Sequence, residues 1–247
     1  MHRIREMCEG GSMQPRIPTV SVVIPTFQEG KYIAAILSKL VKIKPPVEVI
    51  VVDGGSEDNT VEVAKRFTDK VYQIRERGIS KARNYGARRA SGDILVFLDA
   101  DVNPPSDFVE KVLKALKDDA VVGATCYIMP VQPRFGEAAF FHFYNLLIRL
   151  CSSFKPHSRG EFFAVKKSEF LAADGFDEGM PCLEDHDLAH RLSRRGKFVF
   201  IKNLTVYESL RRFRRLGLFK VVGTWLMDYL SFMLRRKPVS GTWKPVR

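Results

Sequence analysis

The sequence predicts an α/β fold: a Rossmann-like three-layer α/β/α domain with a mostly parallel central sheet, followed by an amphipathic helical tail. Three observations predict it. The first half alternates β-branched apolar runs with helical segments. Three of those runs end in polar clusters that contain acids. After Glu208 the chain turns basic and amphipathic.

The elements follow in order. Residues 20–25, VSVVIP, form a run with no polar alternation beyond one Ser, as in a strand covered on both faces. Residues 32–42 read as a helix, 47–53 as the second strand, and 58–67 as a helix with Ser56 or Asp58 as cap. Residues 71–74 are a short strand, 79–91 a helix stopped by Gly92, and 93–101 the next buried strand. A helix opening on prolines spans 103–119. Strands are expected at 121–129, 161–167 and 197–201, with a helix at 183–196 and a loop after 170–178. Residues 1–18 are expected to be a flexible leader, with Met13 an alternative start. The domain proper is expected over 19–208 and the tail over 209–247.

The formal net charge of +12 favours an anionic partner such as a phosphorylated substrate or an anionic membrane. No nucleic-acid motif is visible, so no nucleic-acid partner is expected. Four scattered cysteines without C-x-x-C or zinc spacing read as reduced thiols, consistent with a cytoplasmic location. The most apolar stretch, 216–234, contains Lys220 and Asp228 and is short for a membrane span, and a second apolar patch at 138–150 is shorter still. Arg-Arg-Phe-Arg-Arg at 211–215 and Arg235-Arg236-Lys237 flank that stretch. Together they suit peripheral contact with the cytoplasmic face of a membrane, or equally a helix packed on the domain or a dimer contact.

Ligands of parallel sheets bind beyond the carboxyl ends of the strands. Pro25 to Glu29, Asp53 to Ser56 and Asp99-Ala100-Asp101 fall there. Two carboxylates at i and i+2 leaving a strand would share a face, ~6.5–7 Å apart. Such a pair suits Mg²⁺ or Mn²⁺ with substrate phosphates completing the shell. Asp53 before Gly-Gly-Ser suits a base or ribose, or a tight capped turn. Arg77, Lys81 and Arg83 could meet phosphates, and Asn84 and Gly86 are poor helix residues that suggest close packing or ligand contact. Glu184-Asp185 opens a helix, where the macrodipole stabilises a carboxylate able to accept a proton.

In this order, VSVVIPTFQE, VVDGGSEDNT, KARNYG, FLDAD, GFDE and EDHDL resemble the family 2 glycosyltransferases with the GT-A fold, over about residues 19–208. The resemblance implies an inverting, metal-dependent transfer from a nucleotide diphosphate sugar to an acceptor, lipid-linked or glycan. It implies that Pro25, Phe27, Glu29, Asp53 and Ser56 line the donor pocket. Asp99 and Asp101 would be the D-x-D pair. Gly175, Phe176, Asp177 and Glu178 would lie near sugar and acceptor, with Asp185 the base and Glu184 its neighbour. Many relatives carry a His shortly after the last strand; here Val206-Tyr207-Glu208 stands there, making Glu208 a candidate oxygen ligand. No G-x-G-x-x-G follows the first strand and no Walker A sequence occurs, which opposes a dinucleotide oxidoreductase. A nucleotidyltransferase would want a more glycine-rich, basic loop after the first strand. A non-catalytic nucleotide- or membrane-binding module of the same fold is the remaining alternative.

Overall fold

The computed structural model describes residues 17–152 and 156–235. The expected flexible leader, apart from its last two residues, and the basic end of the tail lie outside them. The elements are β1 (Val20–Thr26), α1 (Ile33–Leu40), β2 (Glu48–Asp53), α2 (Thr60–Ala64), β3 (Val71–Gln73), α3 (Ile79–Arg89), β4 (Ile94–Leu98), β5 (Val102–Asn103) and α4 (Phe108–Ala115). There follow β6 (Val121–Pro130), α5 (Phe135–Cys151), β7 (Phe162–Lys166), α6 (Lys167–Ala172), α7 (Glu184–Leu192), β8 (Lys197–Glu208), α8 (Arg211–Leu216) and α9 (Leu218–Arg235).

The described strands form one sheet in the order β3-β2-β1-β4-β7-β6-β8-β5. β3, β2, β1 and β4 run parallel, and the continuous apolar runs of β1, β2 and β4 suit strands covered on both faces. One buried cluster, with α1, α2 and α4, covers one face, and a second, with α3, α6 and α7, covers the other. β7 enters antiparallel between β4 and β6, so the sheet is mixed.

Three of the differences from the sequence expectations concern the sheet edge and the tail. β4 stops at Leu98, so Asp99 and Asp101 stand in a turn and not on a strand. β8 continues to Glu208, its pairing with β6 jumping from Ile201 to Thr205. The exposed Lys202 and Asn203 in that bulge interrupt the apolar pattern that ended the expected strand. Gly217, at φ 89°, breaks the tail into two helices.

α3 lies close against β1. A Cβ on Gly86 would sit 2.4 Å from Val23 Cγ1, which explains glycine inside a helix. At the opposite end of the strands, Glu48 accepts hydrogen bonds from Ser21, Lys70 and the Ser91 amide, tying β1, β2 and the α3–β4 turn together. Burial would raise this carboxyl, but those donors outweigh it and lower it to about 2. A carboxylate lowered on folding stabilises the fold above its ordinary value of 4.5, and that contribution fades as pH falls toward 2. Glu48→Gln is therefore expected to cost about 1 kcal/mol near neutrality, the low end for a bond to a charged group beside water. In urea titrations the deficit should shrink steadily below pH 4.5; a deficit independent of pH would refute the assignment.

Candidate active site

The acids predicted at the sheet edge do assemble there, and three arginines, from α3, α8 and the segment before β7, hold them. Arg83, on the inner face of α3 and 1% exposed, donates to Glu184 Oε1 at 2.7 Å, to Asp99 Oδ1 at 3.0 Å and to the Gly160 carbonyl at 2.8 Å. It thus joins the D-x-D turn to the start of α7. Arg211, the first residue of α8, donates to Asp101 Oδ2 at 3.0 Å and Glu29 Oε1 at 2.6 Å. Arg159 donates to Glu161 at 3.0 Å and Glu208 at 2.6 Å. Burial pushes Asp99 upward, with Glu161 and Asp101 adding to it against the pull of Arg83. Burial also raises Asp101, Glu29 and Glu208.

At the start of α7, Leu183 takes a left-handed φ of 63°, uncommon for a branched residue, and so delivers Glu184 and Asp185 into the interior. Burial raises Glu184 against the pull of Arg83. Asp185 goes the other way: burial opposes its charge, but His186, with Nδ1 3.1 Å from Asp185 Oδ1, holds it below the usual range. The ring of His186 lies edge-on to His157, whose Nε2 is 2.7 Å from the Tyr229 hydroxyl of α9.

Two loops complete the edge. Asp53 is fully buried; it accepts from the Gly55 and Ser56 amides at 3.0 and 2.8 Å and from the Thr26 hydroxyl at 3.1 Å. The Ser56 hydroxyl also donates to it, which occupies the acceptor capacity of a carboxylate. Ser56 Oγ in turn accepts from the Gln28 amide at 2.7 Å, so the loops after β1 and β2 form one unit. Pro25 is paired in β1 beside Val52. Arg77 stacks on Phe27 with its guanidinium carbon 3.5 Å from the ring centroid. Asn84 clamps the Gly175 to Glu178 loop, bonding the Phe176 amide and carbonyl at 2.9 and 2.8 Å and Glu178 at 2.9 Å. Phe176 itself packs on Phe97 and Phe163 in the core, and Asp177 caps the Gly179 amide.

The structure brings Arg83 to the acids but turns Lys81 away. Residues two apart on a helix point about 200° apart; Lys81 pairs with Glu76 on the surface. Sequence reasoning missed Arg159, Arg211, His157 and His186 as members of this cluster. For Arg211 a signal existed, a basic run immediately after the last strand, but it read as a lipid-facing flank.

An α/β domain with this strand order and an acid-lined edge is of the GT-A type. A family model for glycosyl transferase family 2 matches residues 21–169, and the chain belongs to that family. It is similar to glycosyltransferase AglE of Haloferax volcanii, 33% identical over 118 residues, covering 44% of this chain and 39% of the relative. It is 32% identical over 114 residues to dolichol-phosphate mannosyltransferase of Pyrococcus furiosus, covering 42% of this chain and 32% of that one. Among solved structures it resembles a mannosyltransferase from Pyrobaculum calidifontis in complex with GDP-Man and Mn²⁺. There the TM-score is 0.69 and the identity 25%, covering 86% of this chain and 65% of the other. The matched regions thus span less than two thirds of each of these relatives.

Arg83→Lys leaves a buried site with one point charge where a fork spanned two carboxylates. It should cost about 3 kcal/mol in denaturant titrations, as breaking a buried pair does. Loss below ~0.5 kcal/mol, the level of a plain surface change, would refute the bridging role.

Proposed function

We propose that this chain is an inverting, metal-dependent glycosyltransferase that moves a sugar from a nucleotide diphosphate sugar to an acceptor. The observation that carries the reading is Arg83, which fastens the D-x-D turn and the Glu184-Asp185 helix start to each other in a family 2 chain. Asp99 and Asp101 fit a hard cation. They are oxygen donors two residues apart just after β4, each raised by burial and by other acids nearby. They would hold Mg²⁺ or Mn²⁺, and Glu208 would join them only by releasing Arg159. When bound, the ion offsets charge on the departing diphosphate. The Mn²⁺ in the mannosyltransferase complex supports this.

Asp185 is the proton acceptor. His186 keeps it ionised, so it can take the acceptor's hydroxyl proton as the acceptor oxygen bonds to the anomeric carbon and the bond to the diphosphate breaks on the opposite side. Inversion follows from that in-line geometry. A phosphate acceptor is already anionic, and Asp185 would then position it. The loop unit of Phe27, Glu29, Asp53, Ser56 and Arg77 receives the nucleotide, with Asp53 shaping the turn. Gly175 to Glu178 border the sugar and acceptor. The acceptor is a lipid-linked or glycan hydroxyl or phosphate. The likeness to a dolichol-phosphate enzyme favours the lipid, reached by peripheral contact of 209–247 with the cytoplasmic face of a membrane.

The test is a melting screen of nucleotide sugars with and without Mn²⁺ or Mg²⁺, on wild type and Asp101→Asn, with hydrolysis read in parallel. A donor at ~100-fold its dissociation constant should raise the melting temperature by roughly 5 °C. The rise should need metal and vanish in Asp101→Asn. No rise with any nucleotide and metal would overturn the transferase reading in favour of a binding module.

A further inference from the structure

α5 and α9 each bury one side and leave the other apolar. The inner sides meet: Phe141, Leu210, Phe213 and Val221 form a third buried cluster, with Phe140 and Trp225 packed on it. Among the described residues, nothing covers the outer sides. On α5, Phe135, Phe143, Leu146 and Leu150 follow helical spacing and are exposed, Phe135 at 91%. On α9, Phe219, Leu226, Leu230 and Leu234 do the same, with Phe219 at 91% and Leu234 at 84%. Monomeric proteins rarely leave contiguous apolar stripes of this kind in water. Neither helix is long and apolar enough to cross a membrane.

The charges say what covers these stripes. The carboxylates of both helices, Glu137 and Asp228, are buried. The charged groups that the two helices and α8 leave exposed are basic: Arg149, Arg214, Arg215 and Lys220. A second copy would bring like charges together, whereas an anionic bilayer pairs them and takes up the leucines and phenylalanines. We propose that α5 and α9 together form one docking face for an anionic bilayer surface. This adds α5 to the tail contact proposed above and does not depend on the transferase reading.

The full chain is tested by co-sedimentation with phosphatidylcholine vesicles containing or lacking phosphatidylglycerol. Binding should require the anionic lipid and weaken with salt. Phe143→Ser/Leu146→Ser on α5, and Leu226→Ser/Leu230→Ser on α9, should each weaken it about tenfold, and Lys220→Glu should do so without touching either stripe. All these positions are exposed, so the folded state should survive, which a melting curve checks. Hydrogen exchange on wild type gives a second readout: vesicles should protect both α5 and α9 amides. The proposal is overturned if wild type ignores anionic vesicles, or if the α5 variant binds as wild type and α5 gains no protection. It is also overturned if sedimentation velocity shows a dimer that the α5 variant dissolves. Donor-dependent melting shifts would be untouched by any of these outcomes.

Discussion

The buried guanidinium of Arg83 is the constraint on which the site depends. Removing a full charge from water is costly unless every direction of approach finds a partner. Arg83 meets most of that demand through its two terminal nitrogens, drawing together Asp99 from the end of β4, Glu184 from the start of α7 and the carbonyl before β7, while its buried Nε finds no partner. Its neighbours on α3 fix it in place. Asn84 grips the loop that precedes α7, and Gly86 lets the helix settle onto β1 at a distance no larger residue permits. One helix therefore sets the separation of the two acidic groups that the proposed chemistry needs, and it does so with adjacent residues of a rigid element.

The same logic recurs twice. Arg159 spans Glu161 and Glu208, and Arg211 spans Glu29 and Asp101. Each arginine comes from a different part of the chain and serves two acids; Arg83 and Arg211 do so through two nitrogens, as a planar fork allows, and Arg159 through one. The basic surplus of the sequence is thus misleading if read only as surface. Some of its most consequential members are buried, and they keep an otherwise self-repelling group of carboxylates compatible with folding. The residual upward pressure on Asp99 and Asp101 marks a place where a further positive charge would be favourable.

Much of this was legible in the sequence. Continuous β-branched runs foretold β1, β2 and β4, and acids at their ends foretold the edge where Asp53, Asp99 and Asp101 now stand. The rest was hidden for identifiable reasons. FFAVK carries no mark of direction, so the antiparallel entry of β7 depends on its neighbours and on the chain's route. α5 is apolar on both its inner and outer sides, which erases the amphipathic period that would have announced a helix. Lys81 and Arg83 look equivalent in a list of cations, and only the turn of a helix separates surface from site. Arg211 was concealed by its basic companions, since a run of arginines before an apolar helix reads as a membrane flank until the turn after Glu208 carries the first of them back to Asp101.

That return changes what the tail can be. A tether would leave the domain at one point and make no further contact. Here α8 begins on the D-x-D turn through Arg211, and α9 comes back to Asp185 through Tyr229, His157 and His186. An 18-residue helix is about 27 Å long, and its outer stripe and its inner contact to His157 lie on the same few turns. A surface that met the outer stripe would therefore stand within one helix diameter, about 10 Å, of the residues beside Asp185. An acceptor presented at such a surface would need to rise only that far to reach Asp185, the proposed base. The basic charges flanking the stripe would pair with anionic headgroups at that surface. On this geometry, the proposed docking and the proposed delivery of the acceptor would both follow from one helix having two sides.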